Sequence, residues 1–134
     1  MVPLIVVADD ERHIRAVVAS KLRAAGYEVM EAEDGAEALA MATERPPDAV
    51  VTDLQMPTMS GLEFCQAMKA EPSCAEVPAI LLTARGYILS DEELRRTNIR
   101  AVMGKPFSAR EVVERVRALL EPGGEYREGL GEAA

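Results

Sequence analysis

Short apolar runs alternate with longer amphipathic stretches along the whole chain. Residues 4–8 (Leu4, Ile5, Val6, Val7, Ala8) form a continuous, largely β-branched run with no polar interruption. Such a run fits a strand covered on both faces rather than one with a wet side. Apolar residues then recur at Ile14, Val17, Val18, Leu22 and Ala25, which predicts a helix with one buried stripe, stopped by Gly26. Residues 28–31 predict a short second strand. Asp34 followed by Glu37 is a capping-box pattern that opens a second helix, and Pro46 and Pro47 end it. Residues 49–52 predict the third strand, and a loop from Pro57 to Gly61 leads into a helix carrying Leu62, Cys65 and Met68.

The second half repeats the pattern. Residues 78–82 predict a fourth strand. Ser90 with Glu93 is another capping box, opening a short helix that runs to about residue 97 with Leu94 as its only clear anchor. Residues 100–103 predict a fifth strand. Val112, Val113, Val116, Leu119 and Leu120 give the last helix the clearest apolar stripe of all. Strands alternating with helices through short loops imply a parallel sheet with helices on both faces. From residue 122 on the apolar content is too low to fold, so residues 1–121 read as one domain and residues 122–134 as a mobile, acidic, glycine-rich tail.

Composition narrows the function. The formal net charge is −8 with no basic stripe, which argues against direct nucleic-acid binding. No apolar run reaches the ~18–20 residues of a membrane span. The apolar start has no basic cluster before it and is not a signal peptide, so a cytoplasmic protein with no membrane partner is expected. Cys65 and Cys74 lack zinc-type spacing and read as reduced thiols in or near a helix.

The chemistry gathers at the strand ends. In open parallel sheets, sites form beyond the carboxyl ends of the strands, where the strand order reverses. Asp9 and Asp10 follow the first strand, Asp53 the third, Thr83 the fourth, and Lys105 the fifth, just before Pro106. Each acidic residue alone reads as a helix or turn cap. Together with Thr83 and the Lys105–Pro106 pair they are hard to explain that way. Carboxylates sharing a crevice cost about 4 kcal/mol per pair at ~4 Å and an effective dielectric of ~20, so the group calls for a cation or a proton. Magnesium suits hard oxygen donors.

The chain resembles the receiver domain of bacterial two-component response regulators, in its single-domain type. The likeness rests on Val6-Val7-Ala8-Asp9-Asp10-Glu11, on Glu31 to Gly35 with Ala38 and Leu39, and on Val51-Thr52-Asp53-Leu54-Gln55-Met56-Pro57 with Ser60, Gly61 and Leu62. It continues through Leu82-Thr83-Ala84-Arg85 and Lys105-Pro106-Phe107, and covers residues 3 to about 121. The resemblance implies a flavodoxin-like doubly wound (βα)5 three-layer sandwich with a parallel sheet in the order 2-1-3-4-5. It implies Asp53 as phosphoacceptor, with a histidine kinase or a histidine phosphotransfer protein as donor. Mg2+ (or Mn2+) would be held by Asp10, Asp53 and the main-chain carbonyl of Gln55, with Asp9 acting through water. Thr83, Ala84 and Lys105 would bind the phosphoryl group, Gln55 and Arg85 would tune its lifetime, and the Lys105–Pro106 bond would be cis. The family's switch couples the threonine to an aromatic residue three positions before the lysine. Val102 stands there instead, a departure from the pattern.

On this view the protein is a phosphoacceptor switch and not an enzyme beyond its own phosphotransfer and dephosphorylation, signalling through an unknown protein target. Two alternatives remain beside it: a phosphorylation-independent pseudo-receiver that only binds partners, and a receiver fragment of a longer regulator. A magnesium phosphohydrolase of the haloacid dehalogenase type would need a second aspartate two residues after the nucleophile, where Gln55 stands. His13, the only histidine, reads as an exposed or partly packed helix residue. Met56, Met59 and Met68 read as packing, and Tyr87 as either a partner contact or a surface aromatic.

Overall fold

The computed structural model describes residues 2–84 and 87–121. Arg85 and the stretch 122–134, read above as a tuning residue and a mobile tail, lie outside the described residues. Ten elements alternate: β1 (Leu4–Ala8), α1 (Arg12–Ala24), β2 (Glu28–Ala32), α2 (Gly35–Glu44), β3 (Ala49–Asp53), α3 (Gly61–Ala70), β4 (Ala79–Ala84), α4 (Asp91–Arg95), β5 (Ile99–Lys105) and α5 (Ala109–Leu120). The five strands form one sheet in the order β2-β1-β3-β4-β5, and each neighbouring pair is parallel. This is the flavodoxin-like topology expected from the sequence.

Alternation along the strands builds two cores, one on each face. Ile5, Val7, Val51, Ile80, Leu82, Ala101 and Met103 face α1 and α5, meeting Val18, Leu22, Val112 and Val116. Val6, Ala8, Val50, Ala79, Leu81, Ile99 and Val102 share the opposite core with Ala38, Phe64 and Met68. Phe64, Ile80 and Leu81 are fully buried, and each such side chain contributes about 1.5–3 kcal/mol of burial free energy.

Several boundaries differ from the sequence reading, most by a single residue. β4 runs on to Ala84 and β5 from Ile99 to Lys105, so Thr83 and Lys105 are strand residues paired with the neighbouring strand rather than loop residues. The fourth helix has only five residues, because Thr97 and Asn98 turn inward: Thr97 Oγ1 donates to the Glu93 carbonyl at 2.8 Å, and Asn98 accepts from Lys69 Nζ at 2.7 Å. The apolar stripe of α1 also lies elsewhere. Val17 is 41 % exposed and Ala25 is exposed, and the buried positions are Arg15, Val18, Ala19 and Leu22.

Helix starts follow the capping signals. Ser60 with Glu63 and Ser90 with Glu93 each form a complete capping box. Asp34 accepts from the Glu37 amide, but Glu37 reaches back one residue further, to the Glu33 amide at 2.7 Å. At the β2 edge, Arg45 makes two 2.8 Å hydrogen bonds to Glu28, and Arg23 lies 3.1 Å from Glu31.

Candidate functional site

The strand order reverses between β1 and β3, so the two chains leave the sheet there in opposite directions and open a crevice at their carboxyl ends. Asp9, one residue past β1, is 1 % exposed, and Asp53, the last residue of β3, is 4 % exposed. Asp10 is exposed at the mouth. One carboxylate oxygen from each of the three lies within 4.8 Å of the others. Lys105 Nζ sits 2.9 Å from Asp53 Oδ1 and 3.7 Å from Glu11 Oε1. A cleft of about 320 Å³ beside them is lined by Asp53, Leu54, Gln55, Thr83, Ala84 and Lys105. The side chains expected at the site are thus brought together, Arg85 alone lying outside the described residues.

Close backbone approaches hold this geometry. The Leu54 amide donates to Leu82 O, and the Gly61 amide donates to Leu54 O, both at 2.8 Å. These bonds fold the β3–α3 loop back onto the strand end. A Cβ on Gly61 would fall onto the Asp53 carbonyl oxygen, so only glycine permits the turn. Gly35 is packed equally tightly against the Met59 backbone. Thr58, between them, takes a left-handed conformation with φ 70°.

Burial sets the electrostatics. Asp9 is pushed up to about 6, first by desolvation and further by the charges of Asp53 and Asp10, against the pull of the Glu11 amide, which donates to its Oδ1 at 2.8 Å. Its Oδ2 is buried with no hydrogen-bond partner. Desolvation also raises Asp53, opposed by the hydrogen bond and charge of Lys105. Burial pulls Lys105 down, but Asp53, Asp9 and Glu11 together outweigh it and leave the ammonium held above its usual value. One cation therefore faces more negative charge than it neutralises. Three hard carboxylates, one of them with a bare buried oxygen, fit a divalent cation.

The remaining expectations divide. The Lys105–Pro106 bond is cis. Val102 is buried against Leu81, Leu89 and Ile99, with Tyr87 and Leu94 packed over the same cluster. Tyr87 is half-buried and its hydroxyl donates to the Glu93 carboxylate at 3.3 Å, so it belongs to the α4 cap rather than standing alone on the surface. His13 is exposed. Cys65 and Cys74 are both free and buried, and Met68 is core. Glu11 and Gly61, quoted above only as motif residues, and Arg15, not named there at all, take part in the site without having been given a role in it from the sequence. Spacing offered a signal for Arg15, which is three positions before Val18 and seven before Leu22, on their face of α1.

A doubly wound sheet that collects carboxylates, a threonine and a lysine at its switch point offers oxygen and nitrogen donors of the kind that suit a cation and an anionic group. The chain belongs to the response regulator receiver domain family, whose model matches residues 5–117. It is similar to the phosphate regulon transcriptional regulatory protein PhoB of Pseudomonas aeruginosa, at 37 % identity over 118 residues, covering 87 % of this chain and 51 % of that protein. It is 39 % identical over 120 residues to the transcriptional regulatory protein PrrA of Mycobacterium tuberculosis, covering 88 % of this chain and 50 % of that one. Among solved structures, the chemotaxis response regulator CheY4 of Vibrio cholerae superposes with a TM-score of 0.81 at 30 % identity, covering 90 % of this chain and all of that one. The chain spans about half the length of the curated relatives it matches. It is a receiver domain of two-component signalling. Among the described residues, no helix is long and apolar enough to cross a membrane.

Proposed function

We propose that Asp53 is the phosphoacceptor and that residues 1–121 work as one switch unit. The reading is carried by the position of Asp53, which is almost fully buried yet opens onto the cleft with its carboxylate against Lys105 and beside Asp9 and Asp10. An Asp53 oxygen attacks the phosphorus of a phosphohistidine on a histidine kinase or a histidine phosphotransfer protein. The P–O bond forms as the P–N bond breaks, and the electron pair returns to the imidazole nitrogen. Lys105 releases Asp53 and pairs with a phosphoryl oxygen. The Thr83 hydroxyl and the Ala84 amide donate to the others.

Asp10, Asp53 and the Gln55 carbonyl are the direct ligands proposed for Mg2+ or Mn2+, with Asp9 holding the ion through water. The ion, when bound, supplies charge neutralisation for the incoming phosphoryl group. Gln55 lines the cleft and is exposed, so it meets solvent on the side where a hydrolytic water approaches. Output runs through contacts with a target protein, in a cytoplasmic setting.

Acetyl phosphate with Mg2+ tests this directly. The expected result is a mass gain of one phosphoryl group on the intact chain, located to Asp53 by digestion after borohydride trapping. An unchanged mass, together with no spectral response to a beryllium fluoride mimic, selects a phosphorylation-independent binding module. The buried aliphatic Val102 at the switch position is the one feature favouring that second reading.

A further inference from the structure

Arg15 is a buried charge with no role in the phosphotransfer steps. It is 8 % exposed, midway along the first turns of α1, where a solvated side chain is the ordinary outcome. Its Nη1 donates to the main-chain carbonyl of Asp9 at 2.8 Å. Its Nε lies 3.4 Å from Glu31 Oε1 without an aligned hydrogen bond, and Nη2 lies 4.0 Å from Glu33. The planar fork thus spans from β2 to the residue just past β1.

Asp9 is consequently fixed on every side but one. Its amide donates to Ala32 O at 3.1 Å, its carbonyl accepts from Arg15, and its Oδ1 accepts from the Glu11 amide. Only Oδ2 is left without a partner, buried in the acidic cluster. A lysine could reach the carbonyl with its single ammonium, whereas the guanidinium bonds the carbonyl through Nη1 and keeps its charge on Nε 3.4 Å from Glu31 as an ion pair. We infer that Arg15 is a positioning residue for the cation site: oriented by Glu31, it locks the Asp9–Asp10 backbone so that their carboxylates converge on Asp53. The inference rests on the metal-site reading given above.

Arg23 supplies the control. It too joins α1 to β2, lying 3.1 Å from Glu31 and donating to Val29 O at 3.0 Å, but it does not touch Asp9. Both Arg15→Gln and Arg23→Gln lose a helix–strand link. Mn2+ binding followed by electron paramagnetic resonance, with Mg2+ as competitor, separates them at a temperature where each variant is folded. Arg15→Gln is expected to weaken Mn2+ binding roughly tenfold, the usual scale for losing a group that orients a metal ligand, and Arg23→Gln to stay within about twofold. Arg15→Lys should fall between. Equal binding by the parent and Arg15→Gln overturns the positioning role. A parent that binds no Mn2+ removes the metal-site reading itself, and the inference with it.

A metal-free readout stands beside this one. The Glu11 amide proton, bonded to Asp9 Oδ1, should shift upfield and exchange faster in Arg15→Gln, with little change in Arg23→Gln. An unmoved Glu11 resonance in Arg15→Gln also overturns the inference. If Arg15→Gln does not fold, Glu31→Gln, which loosens the orienting partner, is measured in the same way and must weaken Mn2+ binding by more than Arg23→Gln does.

Discussion

Lys105 Nζ holds Asp53 Oδ1 at 2.9 Å, so the carboxylate proposed as acceptor is already engaged by the group proposed to receive the phosphoryl oxygen. On that proposal, phosphorylation exchanges one ion pair for another within the same cleft.

Asp53→Asn removes a carboxylate that burial disfavours, while Lys105 keeps Glu11 at 3.7 Å. Its thermal stability without metal should equal the parent's or exceed it, because the repulsion of Asp53 by Asp10 and Glu11 goes with the carboxylate and Lys105 keeps acidic neighbours. Phosphorylation by acetyl phosphate should disappear, as read by intact mass. Phosphorylation at a rate comparable to the parent would move the acceptor elsewhere.

Stability without metal should fall as the pH rises through about 6. Asp9 is raised from 3.8 to about 6, so the folded protein holds this proton more tightly than the unfolded chain does. The associated stabilisation is complete below about 4, is lost as the pH climbs from there through about 6, and amounts to roughly 2–3 kcal/mol at most. Asp53 acts in the same direction. Glu28, held low by its hydrogen bonds to Arg45, acts oppositely, but only below its ordinary 4.5. Melting curves from pH 4 to 7 should show the fall, levelling off above about 6. Mg2+ should reverse it near pH 7.5 and do little at pH 5, because the ion competes with the Asp9 proton. Asp9→Asn should flatten the profile.

Two glycines should answer differently to alanine. At Gly61 the new Cβ meets the Asp53 carbonyl, so the strand end must move. Gly61→Ala should lose about 1–3 kcal/mol and weaken divalent-cation binding. Gly26 has φ +102° with open space around it. Gly26→Ala should cost about 1–2 kcal/mol of conformational strain and leave cation binding unchanged. Urea melts and calorimetric titration read the two effects separately.

Neither cysteine should react in the folded state. Burial pushes the Cys65 thiol up to about 12 and raises Cys74 as well. Iodoacetamide labelling of both should follow global unfolding, with no fast phase at pH 8.

Helix α4 should exchange its amides well before α5. Its five residues include no buried side chain, whereas α5 buries Val112, Val113, Val116 and Leu119. A beryllium fluoride mimic should raise α4 protection, and Tyr87→Phe, which removes the hydroxyl contact to Glu93, should lower it. Identical α4 exchange with and without the mimic would remove this helix from the switch.

The sheet was legible because a strand covered on both faces needs an unbroken apolar run, and the chain supplies one at each central position. Asp9, Asp10, Asp53, Thr83 and Lys105 were legible because polar residues that end such runs must lie at one edge of a parallel sheet. What stayed hidden depends on contacts between distant segments. Arg15 is polar in composition but buried in fact, since the Asp9 carbonyl and Glu31 meet its guanidinium. The predicted stripe of α1 left Arg15 out and took in Val17 and Ala25, both of which are exposed. Thr97 read as the last residue of the fourth helix, but α4 stops at Arg95, and Thr97 and Asn98 turn inward through side-chain bonds to Glu93, Lys69 and Ala75. The tight approach of Gly61 to Asp53 depends on a loop whose path no local pattern specifies.

The arginine–glutamate pairs along β2 have a consequence for assembly. An outer strand with free amides invites a second chain to add to the sheet. At this margin a newcomer would have to displace Arg45 from Glu28 and Arg23 from Glu31 before it could dock. The β2 margin thus carries charged pairs of the kind that discourage strand addition.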